Sequence, residues 1–334
     1  MSRVSSSRGP HSFAACHGSA LSRRLGRSTS GTLAAMTLAP ARSAGLHPSV
    51  DLDVTPVAGA LGAEVRGLDP DSLDEQAAAA LRKALDAHLV LFLPGLSPSV
   101  RQLRDIGALF GELEVHPYIE KVDDDTPEVC VLDTSATPKA DIWHTDVTYS
   151  EHPPIAALLH MVQCPTAGGD TMWINCYDVH DSLSAPLQAF LAGLTCIHDD
   201  GKQGSLRAEH PVVRVHPGTG RRSLYVNKQH GRRIPQLSRP ESQALLTFLY
   251  RWQEQVKFSC RWRWSPGDVA LWDERVTLHS IVDDIGEDDD TRILHRVTVL
   301  GDDPQPPADA PSWDRHRSDK TAASGYFGMA GFEF

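Results

Sequence analysis

From about Val50 onward, apolar positions recur with two periods, one helical and one extended. Leu73, Ala77, Leu81 and Leu85 share one face of a 3.6-residue helix. Ser72 followed by Glu75 is a capping-box pattern and puts the start of that helix at Ser72. The run "HLVLFLPG" (88–95) is short, apolar and stopped by Pro-Gly, which predicts a buried strand. In "SPSVRQLRDIGALFGEL" (97–113), Ser97 and Pro98 suit an N-cap and the first helical position. Leu103, Ile106 and Phe110 follow at helical spacing.

Past residue 128 the extended period dominates. "VCVLDT" (129–134), "WHTDVTY" (143–149), "AALLHMVQC" (156–164) and "DTMWINC" (170–176) read as successive strands. "VVRVHPGTGRRSLYVN" (212–227) reads as a hairpin around Pro-Gly-Thr-Gly, and "CRWRWSPGDVALWD" (260–273) as another around Ser-Pro-Gly-Asp. Helices interrupt at "DVHDSLSAPLQAFLAGL" (178–194) and at "SRPESQALLTFLYRWQEQ" (238–255), where Ser238 and Glu241 form a second capping box. "RILHRVTVLGD" (292–302) is the last strand. Many strands, few helices and no βαβ alternation predict a mainly β core, closed as a jelly roll or barrel with flanking helices. The mouth of such a fold is a natural container for a small molecule.

The 334 residues are 41% hydrophobic and 22% charged, enough for one large domain or two small ones. Three parts are expected: a leader over 1–49, the ordered domain over 50–303, and a Pro- and Ala-rich, loosely held tail over 304–334. No apolar run approaches the roughly 20 residues of a membrane span, so no membrane partner is expected. A net charge of -11 without a basic stripe argues against nucleic acid. Cys16, Cys130, Cys164, Cys176, Cys196 and Cys260 are scattered without a CxxC, which fits buried thiols in a reducing, cytoplasmic setting. The leader has no acid before Asp51 and carries Arg3, Arg8, Arg23, Arg24, Arg27 and Arg42 among many serines, a transit-peptide composition. A disordered leader, or a true start at Met36, accounts for the same composition. None of these readings gives the segment a part in the fold.

His144 and Asp146 lie two apart in "WHTDVTY", so a strand would aim both at one face. His279 ends another β-rich run, "LWDERVTLHS". Two imidazoles and one carboxylate anchor a metal while leaving positions open for O2 and an oxidisable co-substrate. Taken alone, His-X-Asp is common on polar strand faces, and with 16 histidines in the chain an ordinary polar face remains open. Arg292 and Arg296 stand at i and i+4 of the last strand, with Leu294 between. Guanidiniums on an apolar face are costly unless paired. Their planar fork suits two anions, such as a dicarboxylate co-substrate and an acidic substrate. Carboxylates of "DDIGEDDD" (283–290) are the alternative partners. His152, His160, His198, His210, His216 and His230 have no motif partner, and Trp262 and Trp264 read as core packing.

In this order, "WHTDVTY", "GGDTMW", "HPVVRVHPGTGRRSLYVN", "WRWSPGDVALWDERVTLHS" and "RILHRVTVLGD" resemble the taurine/2,4-dichlorophenoxyacetate dioxygenase family of Fe(II)- and 2-oxoglutarate-dependent oxygenases. The resemblance runs from about Asp53 to Asp303, with the taurine dioxygenase branch closest. It implies a double-stranded β-helix. His144, Asp146 and His279 would then be the Fe(II) ligands, and Thr171 and Arg292 would hold the distal carboxylate of 2-oxoglutarate. Arg296 and His116 would face the anionic group of the substrate. Asp146 also argues against the halogenase variant, which lacks that ligand.

The implied reaction consumes 2-oxoglutarate and O2, yields succinate and CO2, and hydroxylates a small anionic substrate. A sulfonate such as taurine, or an alkyl sulfate, would then release sulfite or sulfate and an aldehyde. A homo-oligomer is expected. Three positions depart from the taurine pattern. Ala140 replaces a substrate-contacting Asn, "KQHGRRI" (228–234) lacks an aromatic residue there, leaving His230 near the expected substrate contacts, and the tyrosine after His-Pro is shifted, with Tyr118 directly following Pro117. These departures put taurine itself in doubt. The same chemistry on an aryloxyalkanoate or other carboxylate is the alternative, as is a metal-binding jelly roll that is not an oxygenase.

Overall fold

The computed structural model describes residues 52–134, 140–201, 206–286 and 291–317. The leader, the acidic run at 287–290 and the last part of the tail lie outside these residues. The first elements are β1 (Asp53–Pro56), β2 (Ala63–Arg66), α1 (Glu75–His88), β3 (Val90–Leu93), α2 (Val100–Ala108), β4 (Cys130–Asp133) and β5 (Ala156–Gln163). Then come β6 (Thr171–Asn175), α3 (Cys176–Asp181), α4 (Ala185–Leu191), β7 (Thr195–Asp199), β8 (Arg207–Pro211), β9 (Val213–Val215) and β10 (Arg222–Leu224). The last are β11 (Gly231–Arg233), α5 (Arg239–Gln253), β12 (Ser259–Trp262), β13 (Val269–Asp273), β14 (Thr277–Ile281) and β15 (Ile293–Val299).

Seven strands form one sheet in the order β1-β2-β3-β13-β5-β15-β4. Opposite it stands the three-stranded sheet β12-β6-β14. Alternation along the strands explains the layering. Val90 and Phe92 of β3, Ala270 and Trp272 of β13, and Leu159 and Met161 of β5 pack inward on Trp173 and Cys260 of the smaller sheet. Their neighbours Leu91, Leu93, Leu158, Leu271 and Val297 point outward, onto Leu81 and Leu85 of α1 and Leu103 and Ile106 of α2. Leu278 and Ile174 on the back of the smaller sheet pack on Leu246 and Leu249 of α5. Each buried leucine contributes about 1.5–3 kcal/mol, which is why central strands covered on both faces read as continuous apolar runs. This is the expected jelly-roll fold.

Several local expectations change. The first helix starts at Glu75, not Ser72, because Asp74 caps it by accepting from the Ala77 N–H. The second is capped by Ser99 with Gln102 closing the box, so Ser97 and Pro98 lie outside it. The predicted single helix over 178–194 is two, α3 and α4. The β9–β10 hairpin forms with Val215 opposite Arg222. The second predicted hairpin does not: β12 pairs with β6 and β13 with β3 and β5, so the Ser-Pro-Gly-Asp turn carries the chain from one sheet to the other. Residues just after Asp302 are tied to the body, with Val215 N donating to Gln305 O at 2.8 Å and His316 N to Pro235 O at 2.9 Å.

Candidate active site

The stretch around His144 is not a strand. His144 and His279 exchange both backbone hydrogen bonds, at 3.0 and 2.7 Å, in an isolated bridge to β14. Directly opposed residues project to one face, and the two rings lie 4.1 Å apart between centroids. The chain then turns. Val147 takes φ 52°, and Ser150 N donates to Val147 O at 2.9 Å. The bridge and this turn, not a two-residue strand period, bring Asp146 to the imidazoles. Its Oδ1 lies 3.5 Å from His144 Nε2 and 3.8 Å from His279 Nε2. One donor atom from each residue falls within 4.8 Å of the others, and all three residues are buried.

The donor chemistry fits a divalent cation. His144 Nδ1–H donates to Ile142 O at 2.7 Å, which turns its Nε2 toward Asp146. Burial, then His144, pushes His279 down to about 3, which favours the neutral imidazole that a metal ion takes. Burial opposes the charge on Asp146, yet Arg296 and the two imidazoles hold its carboxyl well below the usual range. Arg296 Nη2 approaches the second carboxylate oxygen at 3.3 Å. Burial opposes that charge as well, but Asp146, Glu114 and Glu274 outweigh it and raise Arg296 above its ordinary value.

A second cationic corner lies on the same strand. A β-bulge separates Ile293 from Leu294, and Arg292 sits just before β15. Its Nε donates to Gly169 O at 2.9 Å and its Nη2 to Thr171 Oγ1 at 3.1 Å. Gly168 and Gly169 take φ 82° and 69°, and a Cβ on Gly168 would meet Asp284 O at 2.5 Å, so only glycines permit the turn that aims this carbonyl. Trp264, expected as core packing alone, donates Nε1–H to Thr171 Oγ1 at 2.9 Å. Burial lowers Arg292 to about 10, the signature of a guanidinium short of negative charge.

His116 is half-buried, and its Nδ1 accepts from the backbone N–H of Tyr118 and Ile119 at 3.2 and 3.1 Å. Its proton is therefore on Nε2. Burial, assisted by Arg296 and Lys121, lowers its pKa. His230, left without a motif partner, packs its ring on Tyr149 at 5.1 Å. Burial pushes it to about 4, with His144 among the nearby charges. Asn227 ties this side to the ligand turn, donating to Thr148 Oγ1 at 3.0 Å and accepting from His230 N at 2.8 Å. Ala140 is exposed and its carbonyl accepts from Ile281 N at 2.9 Å.

The motif reading missed Glu274. This fully buried carboxyl accepts from Asp146 N at 3.2 Å and from Trp272 Nε1 at 2.7 Å. Burial, then the neighbouring Asp146, raises it well above its ordinary value, and it braces the turn that carries Asp146. In a second carboxylate–histidine group, Asp86, His216 and Asp273, the two buried members already have partners. Asp273 accepts from Arg275 and His216, and His216 Nδ1 accepts from Thr219 N.

Comparison with known proteins shows the family. Residues 53–298 match the sequence model of the taurine catabolism dioxygenase TauD, TfdA family. The chain belongs to this family. It is 37% identical over 281 residues to an alpha-ketoglutarate-dependent sulfate ester dioxygenase of Pseudomonas putida, covering 77% of this chain and 92% of that one. It is 31% identical over 280 residues to an alkylsulfatase of Acinetobacter baylyi, covering 77% and 87%. A crystal structure of a taurine dioxygenase from Burkholderia xenovorans superposes with a TM-score of 0.71 at 36% identity, covering 83% and 100%. The chain is thus an Fe(II)- and 2-oxoglutarate-dependent dioxygenase.

Proposed function

We propose that this dioxygenase hydroxylates a small organic sulfate ester or sulfonate, within a catalytic domain spanning residues 50–303. The observation that carries the reading is the separation of two arginines, Arg292 buried and Arg296 partly buried. Arg296 lies against the candidate ligand Asp146, while Arg292 is held apart by Gly169 and Thr171. One cation beside the metal cluster and one at a distance suit a substrate anion and the far carboxylate of a chelating co-substrate.

In this reading His144, Asp146 and His279 hold Fe(II), and Arg292 with the Thr171 hydroxyl fixes the distal carboxylate of 2-oxoglutarate. When bound, iron and 2-oxoglutarate activate O2, so that one oxygen atom enters succinate, CO2 leaves, and the other oxygen is inserted into a substrate C–H bond. Arg296 and His116 Nε2–H orient the substrate anion beside the metal. Hydroxylation at the carbon bearing the sulfate or sulfonate then breaks the C–O or C–S bond, giving an aldehyde and sulfate or sulfite. The sulfate ester dioxygenase and alkylsulfatase relatives support this substrate class. We also propose, on the family resemblance, that the chain acts as a homo-oligomer, which light scattering reads directly. No helix of the described residues is long and apolar enough to cross a membrane.

The test is succinate release from Fe(II)-loaded protein given 2-oxoglutarate, O2 and a panel of alkyl sulfates, alkylsulfonates, taurine and aryloxyalkanoates. Alkyl sulfates or sulfonates should stimulate turnover and release sulfate or sulfite in step with succinate. Stimulation only by non-anionic compounds would refute the role given to Arg296, and full turnover by His144→Ala would refute the metal assignment.

A further inference from the structure

We propose that Lys121 is a specificity-determining residue of the substrate pocket, a second fixed cation that contacts the substrate oxyanion together with Arg296 and His116. The proposal rests on the reading above that Arg296 holds that anion. No motif pointed to Lys121. Its place follows from strand register.

Arg296 of β15 lies directly opposite Cys130 of β4. Cys130 in turn lies directly opposite Lys121 in an isolated antiparallel bridge. That bridge is of the non-hydrogen-bonded kind, because the bonds flank it: Val122 N to Val129 O at 3.0 Å and Val131 N to Glu120 O at 2.9 Å. Such pairs bring side chains closest together. Opposed residues project to the same face of a sheet, so Arg296, Cys130 and Lys121 form one row. Arg296 establishes which face, since its guanidinium is on Asp146. Two strand spacings separate the ends of the row, roughly 10 Å between backbones. Both end side chains are long and the one between them is a small cysteine.

The side-chain contacts agree. Lys121 Nζ donates to Cys130 Sγ at 3.4 Å and to His116 O. The ammonium therefore sits between the inward cysteine and the histidine loop. His116 lies in the fields of both Arg296 and Lys121. An ammonium has three N–H bonds, and two are used here on uncharged atoms, leaving one for a ligand. Among the described residues Lys121 makes no ion pair, although Asp123, Asp124 and Asp125 follow it closely in sequence. Glu114 and the candidate metal ligand Asp146 are the carboxylates that act on both His116 and Arg296, whereas Lys121 keeps its charge for an incoming anion.

Three converging donors, Arg296, His116 Nε2–H and Lys121, match a tetrahedral oxyanion with three terminal oxygens. A carboxylate offers two. The arrangement therefore favours sulfate monoesters and sulfonates over carboxylates of equal length.

The experiment uses the full chain loaded with Fe(II) and 2-oxoglutarate, with hexyl sulfate and heptanoate as probes, and three variants. Lys121→Met removes charge and donors, Lys121→Gln keeps a donor for His116 O without charge, and Lys121→Arg keeps the charge. KM for hexyl sulfate should rise about tenfold or more in both the Met and Gln variants, the scale of one charge-assisted hydrogen bond. The kcat and the KM for 2-oxoglutarate should stay within about twofold, and Lys121→Arg should restore most of the affinity. The preference for hexyl sulfate over heptanoate should shrink. An unchanged hexyl sulfate KM in Lys121→Gln would overturn the proposal and leave Lys121 as a tie to His116 O. Lys121→Gln also decides the matter if Lys121→Met does not fold. Arg296→Gln separates the two readings: if it too leaves the hexyl sulfate KM unchanged, the anion does not sit here and the proposed function itself fails.

Discussion

Replacing Thr171 by valine keeps the side-chain shape and removes one hydroxyl. That hydroxyl oxygen accepts from Arg292 Nη2 at 3.1 Å and from Trp264 Nε1 at 2.9 Å. With both lone pairs occupied, its own O–H is directed elsewhere and is free to donate to an anion. A hydrogen bond to a charged group is worth about 1.5–3 kcal/mol, which corresponds to roughly 10- to 150-fold in affinity. Thr171→Val should therefore raise the KM for 2-oxoglutarate by about ten- to a hundredfold and leave the KM for the organic substrate unchanged. Stability responds separately. The ligand-free variant strands two buried N–H donors, each costing about 1–3 kcal/mol. The guanidinium can recover its loss on the co-substrate carboxylate, whereas the indole cannot. Tm should fall, and saturating 2-oxoglutarate should reverse part of the fall. Thr171→Ser keeps the hydroxyl and should stay within about threefold of the parent. The assay is succinate formation across a range of 2-oxoglutarate concentrations, beside thermal melts. A lowered Tm with an unaltered 2-oxoglutarate KM would make Thr171 a structural acceptor only, and would refute the assignment of this corner to the co-substrate.

Two further outcomes follow from the same geometry. Fe(II), or Mn(II) as an air-stable substitute, should stabilise the chain by about 2.7 kcal/mol at a hundred times its dissociation constant, and His144→Ala should abolish that gain in thermal melts. His230 is pushed down to about 4 in the folded chain, below the roughly 6.5 of an unfolded histidine. As pH falls from about 6.5 to 4 the unfolded chain takes up a proton that the folded chain refuses, so His230 lowers stability by at most roughly 1.4 kcal/mol per pH unit in that window. Denaturant titrations of metal-free His230→Phe should show a shallower loss there, and an unchanged slope would contradict the buried neutral ring.

Much of the candidate site was legible because its residues sit in motifs whose order is specific. His144, Asp146, Thr171, His279, Arg292, Arg296 and His116 could each be named from the chain alone. The geometry joining them was less legible. A two-residue spacing suggested a strand for His144 and Asp146, but an isolated bridge and a left-handed turn at Val147 do that work. The spacing rule failed because it assumes a regular ladder, and the ligand segment has only one bridge. Capping was half legible for a related reason. Ser and Asp both cap well, so local sequence could not choose Asp74 over Ser72 or Ser99 over Ser97.

By itself, then, the sequence determined the mainly β class, the apolar runs of the central strands, the candidate donor set and the two arginines of the last strand. These follow from residue type and local period, which a linear chain displays. Only the tertiary structure decided that Ser265 to Asp268 crosses between sheets, that Glu274 braces Asp146 from behind, and that Trp264 and Arg292 share the Thr171 hydroxyl. It also decided that Lys121, 175 positions before Arg296 in the chain, lies two strands from it in space. Such facts depend on strand order and register. Long-range pairing sets both, by balancing burial against loop closure, and no local pattern encodes that balance.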